Sequence, residues 1–190
     1  RNRLTNGLRS GFPCGAWSAY RAAMPRAFAR LTAIIFVAGA FAGVAQARDS
    51  LGLYGDWGAF RDPLVPRCYA IAMAAPSALH RDYQPYAAIG TWPKRSARNQ
   101  VHFRLSRKMA DGAPMVLRIG SERIELTGGG GDAWPKDDSD NAAIVAAMRS
   151  ATGMTIYSRD SSGRRFSNTW QLAGAASAMD AAAIGCAQLR

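Results

Sequence analysis

Two histidines, His80 and His102, are the side chains of this sequence that titrate near neutral pH unperturbed, so a general base is sought there first. His80 stands in the polar stretch PSALHRDYQP. His102 stands in an alternating run that should send it to solvent beside Arg104. Serines are plentiful, but none occupies G-x-S-x-G or S-x-x-K. A hydrolytic site would have to be assembled from loops far apart in the chain. The run Gly128–Gly131 lacks a following Gly-Lys-Ser/Thr and the G-x-G-x-x-G spacing, so it reads as a flexible loop and not as a phosphate cradle. Asp132, Asp137, Asp138 and Asp140 carry the oxygen ligands calcium takes, without the D-x-D-x-D-G order or terminal Glu of an EF-hand. A solvated loop that caps the next helix is the simpler reading. No catalytic residue, metal or cofactor is therefore expected. A basic set remains: Lys94, Arg95, Arg98, Arg104, Arg107 and Lys108, with Trp92 at its edge. Such a set is either a solvated face that guards a strand edge or an anion-attracting patch for a surface polymer, a lipid headgroup or an acidic partner.

The cysteines and the first quarter of the chain bear on where that chemistry would take place. From Met24 the sequence reads MPRAFARLTAIIFVAGAFAGVAQA, with Arg26 and Arg30 as a basic region and a largely apolar run of 14 residues, Leu31 to Val44, after them. Ala45 and Ala47 frame an A-x-A cleavage site. These are the three parts of a secretory signal peptide, and the apolar run falls short of the roughly 20 residues a spanning helix needs. The expected division is an upstream extension over 1–23, a signal peptide over 24–47 cut after Ala47, and one domain over 48–190. The product would be periplasmic or secreted and not transmembrane once the signal is removed. Eighteen basic and 13 acidic residues follow Ala47, a net of +5, against +11 for the whole chain. That suits weak attraction to anionic surfaces. It does not suit nucleic acid, which asks for a dense basic stripe or a recognisable module. Cys14 would leave with the signal, and Cys68 and Cys186 would remain as an even pair in an oxidising compartment. A disulfide is expected, two buried thiols being the alternative. A loop of 118 residues closed this way contributes roughly 4–5 kcal/mol in the chain-entropy picture.

The elements that must position these residues are mostly short strands. Arg48 to Phe60 reads as a first strand around Gly52 and Gly55, and the prolines at 63 and 66 then turn the chain. In Arg67 to Ala74 a large face (Tyr69, Ile71, Met73) alternates with a small one (Cys68, Ala70, Ala72, Ala74), and neither is charged. That predicts a strand buried on both sides, its small face admitting a close neighbour. The Ala-rich segment Ala175 to Cys186 predicts a helix with Ala176, Met179, Ala183 and Cys186 on one stripe. It would lie over the small face, pinned by the disulfide. Further strands are predicted over Tyr86–Trp92, Gln100–Ser106, with Val101, Phe103 and Leu105 inward and His102, Arg104 and Ser106 outward, and Met115–Ile119 paired with Ile124–Leu126 about Gly120. Thr127 to Asp140 reads as loop. A helix near Asn141–Ala151 and a last hairpin, Met154–Arg159 with Arg165–Leu172, complete the count at seven or eight strands. Trp57 and Trp170 should be core. The class predicted is mainly β, an antiparallel, immunoglobulin-like β-sandwich with two helices, one of them C-terminal.

Asp56-Trp57-Gly58, Cys68-Tyr69-Ala70, Met154 to Asp160 followed by Gly163, and Leu172-Ala173-Gly174 with Ala178 together resemble the invasion-associated locus B family, exported envelope proteins of alphaproteobacteria. Where many members carry a cysteine shortly after the tryptophan, Phe60 stands here. The resemblance implies a periplasmic or envelope-associated β-sandwich with no catalytic residues to carry over. The function expected is binding and not catalysis, the partner being an anionic envelope component or another envelope protein. A periplasmic hydrolase with a loop-built site and a purely structural envelope protein are the alternatives.

Overall fold

The computed structural model describes residues 48–62 and 64–187. The extension, the signal peptide and its cleavage residues Ala45 and Ala47 lie outside them. The described chain is mainly β: ten strands, antiparallel throughout, form one sheet in the order β1-β2-β3-β4-β5-β8-β7-β6-β9-β10, with two α-helices. The first five strands, β1 (Asp49–Tyr54), β2 (Trp57–Asp62), β3 (Arg67–Met73), β4 (Tyr86–Trp92) and β5 (Ala97–Arg104), follow one another across the sheet. The second half is β6 (Met115–Ile119), β7 (Glu122–Gly129), β8 (Asp132–Pro135), β9 (Gly153–Arg159) and β10 (Arg165–Gln171). Helix α1 spans Asp138–Met148 and α2 spans Ala175–Ala187.

The sheet curls until its two ends meet. The Trp57 indole N–H donates to the Gln171 carbonyl at 2.8 Å, and the Ala75 N–H donates to the Thr169 carbonyl at 2.8 Å. The two layers expected of a sandwich are thus two stretches of one continuous sheet. Trp57 and Trp170 are fully buried in the core between them, the second with its ring 5.7 Å from that of Phe103.

Two strands arise beyond those expected. The stretch read as one strand, Arg48 to Phe60, is a hairpin, because Gly55-Asp56 closes a two-residue turn between the paired Tyr54 and Trp57. The stretch read as a flexible loop carries the end of β7 and all of β8, and β8 joins the two halves by pairing with β5 on one side and β7 on the other. Gly128 explains why glycine is needed there. Its φ is +146°, and a Cβ would lie 2.2 Å from the Asp132 carbonyl oxygen across the ladder. At this position the backbones approach so closely that only glycine fits.

The predicted helix near Asn141–Ala151 begins three residues earlier and ends at Met148. Asp137 caps it, its side chain accepting from the Asp140 N–H at 2.8 Å. Ile144 and Met148 are its buried residues. Asn141 fastens the helix to β5 beyond the end of β8. Its Oδ1 accepts from the Val101 N–H at 2.9 Å and its Nδ2 donates to the Asn99 carbonyl at 3.0 Å. One amide thus stands in for the missing length of strand.

Helix α2 covers the small face of β3, where Cys68, Ala70 and Ala72 are buried. The Cys68–Cys186 disulfide closes the contact, with the Cα atoms 5.5 Å apart. The stripe is rotated from the one predicted. Ala175, Ala178, Met179, Ala182, Gly185 and Cys186 are buried, while Ala183 is exposed and Ala176 half-buried. Small residues at 3–4 spacing let the helix settle closest on that side. The large face of β3 is not buried under a second layer: Met73 is 46% exposed, and Tyr69 is covered by neighbours on its own face. Ser106, expected outward, is buried, and its N–H donates to Asn168 Oδ1 at 2.9 Å.

Candidate functional site

The six basic residues of the sequence do not form one patch. Lys94 and Arg95 lie in a short 3-10 turn, Pro93–Arg95, at the tip of the β4–β5 hairpin, and Arg98 opens β5 beside them. All three are exposed, and among the described residues none has a carboxylate within 4 Å. Ser96 and Asn99, which flank Arg98, take φ of +54° and +51°, a left-handed conformation that Asn tolerates better than Ser.

The other three are engaged elsewhere. Arg104 pairs with Asp132, and its guanidinium sits 3.8 Å from the centre of the Tyr83 ring, a cation–π distance. Arg107 is buried, with Nη2 donating to Asp160 Oδ2 at 3.0 Å. Lys108 is exposed, but its backbone N–H donates to Asp82 Oδ2 at 2.8 Å. These last two belong to a structural joint. Burial pushes the Asp160 carboxyl upward, but the N–H groups of Arg164 and Ser162 and the charges of Arg164 and Arg107 outweigh it and hold the group below its ordinary value.

His102 lies on the outer face beside Arg104 as expected, but half-buried. Its ring stacks on that of Trp134 at 5.1 Å and meets Tyr86 edge-on at 5.5 Å, while Nε2 lies 3.0 Å from Asp132 Oδ1. Asp132 thus holds His102 and Arg104 together. His80 is exposed, with Nδ1 3.7 Å from Asp82 Oδ1. Among the described residues no serine or threonine hydroxyl is hydrogen-bonded to either ring, and no three His, Cys, Asp or Glu side chains gather as metal ligands.

What the tip and His102 share is a trough on the outer face of the sheet. Its floor is β4, where Ala88 and Gly90 present almost no side chain. The Trp92 indole lies over Gly90, so close that a Cβ there would be 2.5 Å from the ring. Tyr69 and Ile71 of β3 form one wall, Gln100 and His102 of β5 the other, and Tyr86 stands at the end away from Trp92. Arg48 and Arg67 rim it, the Arg67 guanidinium 5.0 Å from the centre of the Tyr69 ring. This hollow holds about 300 Å³. Past Trp92, Gln100 and His102 it runs into an open groove of about 970 Å³ between Arg95 and Arg98 on one side and Trp134, Lys136 and Asn141 on the other. Asp137 and Asp138 line it as well.

The sequence reading found Trp92 and the three cations of the tip. It missed Arg67, Tyr86 and Trp134, and weighed Asp132 only as an oxygen ligand for calcium. Two signals pointed there: the alternation Asp132-Ala133-Trp134 directly after the glycines, and the aromatic–small–small–aromatic order of Tyr86, Ala88, Gly90 and Trp92 on one face of a strand.

No protein-family model and no curated protein matches the chain. Among solved structures, it is similar to invasion associated protein B from Bartonella henselae, at 15% identity and a TM-score of 0.49, over 73% of this chain and 98% of that one.

Proposed function

We propose that the chain is an exported, envelope-associated protein of the invasion-associated locus B type, and that it acts by binding an anionic component of the cell envelope. The observation that carries this reading is the cationic tip. Lys94, Arg95 and Arg98 stand exposed, without a carboxylate partner among the described residues, and Arg95 and Arg98 line the groove into which the aromatic trough opens. Unpaired cations beside apolar rings attract and retain an anionic partner that also has apolar surface. The signal-like segment, the short motifs shared with the family and a disulfide of the kind oxidising compartments preserve support export.

The test has two arms. Intact mass of the protein recovered from the periplasm should begin at Arg48, with both thiols blocked until reduction. Co-sedimentation with isolated envelopes should be strong at low ionic strength, weaken at 0.15 M salt as screening requires, and fall several-fold in the double variant Arg95→Glu, Arg98→Glu. A retained leader, or sedimentation indifferent to both salt and charge reversal, would overturn the reading.

A further inference from the structure

We infer that the trough over β4 is a subsite for an acidic glycan, a chain of sugar rings bearing carboxylates. This rests on the envelope-binding reading and names its ligand class. Three observations converge on it.

The first is shape. A hollow of about 300 Å³ is at the small end of ligand pockets, room for one or two rings and not for a folded partner. It opens into a groove of about 970 Å³ through shared walls, the form that lets a polymer enter and leave. The second is surface chemistry. A sugar ring has apolar C–H faces and a hydroxyl rim. Here the Trp92 indole and Tyr86 offer flat apolar surface at the two ends of a floor without side chains, while Gln100 and His102 place hydrogen-bonding groups along a wall.

The third observation is charge. The Arg67 side chain at the rim of the hollow stays 31% exposed, with Nη2 3.5 Å from Asp62 Oδ2. A carboxylate in the hollow would accept from the exposed edge of this guanidinium, the charge-assisted geometry that arginine suits best. Further carboxylates along the chain would meet Arg95 and Arg98. Asp137 and Asp138 also line the groove, where Asp137 is spent on capping α1 and Arg95, Arg98 and Lys136 outnumber the two carboxylates. Single-stranded nucleic acid also stacks on aromatic rings, but it needs cations that track every phosphate. Here the cations sit at two ends of an uncharged middle.

The experiment is calorimetric titration of the protein purified after expression of the full chain. The probes are an oligogalacturonate, a neutral cello-oligosaccharide of the same length and oligo-dT. The oligogalacturonate should bind, and the other two at least tenfold more weakly. Trp92→Ala and Arg67→Gln should each weaken it by roughly tenfold, as loss of a central aromatic or arginine contact does. Melting temperatures show whether the variants fold, and Gln100→Ala serves where Trp92→Ala does not. No heat with the oligogalacturonate, equal binding of the neutral chain, tighter binding of oligo-dT, or affinity indifferent to the folded variants overturns the inference. If the glycan fails while envelope sedimentation still depends on Arg95 and Arg98, the ligand class falls and the envelope reading stands. If both fail, both fall.

Discussion

Asp160 shows how one side chain can hold a turn, a buried cation and a neighbouring segment together. Oδ1 accepts from the N–H groups of Ser162 and Arg164 at 2.9 and 3.0 Å, while Oδ2 faces Arg107 and Arg164. Its backbone bridges Met109. Because the folded carboxyl titrates below its ordinary value, the folded state favours the ionised form more than the unfolded chain does. The resulting stabilisation is complete above the usual Asp range of about 3.9 and is lost as pH falls through the lower folded value. Asp160→Asn should therefore lower the melting temperature by several degrees at pH 7 and flatten its fall below pH 4. A variant as acid-sensitive as the parent would show that the loss arises elsewhere. Asp180, held below its ordinary value by the hydrogen bond from Arg149, adds little to that limb, since an exposed pair contributes under about 1 kcal/mol.

Among the elements, β8 decides whether the sheet is continuous. It is four residues long and ends at Pro135, yet it carries the pairing between β5 and β7. Gly128→Ala puts a methyl group 2.2 Å from the Asp132 carbonyl at a φ of +146°, which should cost about 3 kcal/mol or more. It should also disturb Asp132 and Trp134, so urea denaturation and the Trp134 side-chain resonances would both report it. A loss under 1 kcal/mol would mean that the approach is easily relaxed. The same element shows what the sequence leaves illegible. The alternation of β3 and the alanines of α2 announce their pairing locally, so the helix over the strand and the disulfide were legible. Trp57 and Trp170 were legible as core because bulk and hydrophobicity alone place them. Within the glycines of 128–131 nothing local singles out Gly128; its meaning is the contact with Asp132, visible only once the chain has turned back. The basic residues misled for a related reason. Nearness in sequence is not nearness in space: Arg104 is claimed by Asp132 of β8 and Arg107 by Asp160, just past the end of β9.

For the whole molecule, the staple between β3 and α2 is the largest single constraint. In the chain-entropy picture, closing 118 residues contributes roughly 4–5 kcal/mol. Cys186→Ser should lose a comparable amount, and limited proteolysis should then cut first within α2 while the strands stay protected. Protease resistance and melting equal to the parent's would show that helix packing alone holds α2. The curl that brings Trp57 to Gln171 closes the core independently of the staple, so the variant should still fold.

The staple also has a mechanical meaning. Everything from β4 through β10 lies inside the covalent ring between Cys68 and Cys186. Tension drawn through the two ends of the chain would pass from β3 to α2 across the sulfur bridge and leave the ring slack. About 400 Å of contour is thereby withheld from stretching, and both walls of the trough sit on strands that force would reach last or only at their root.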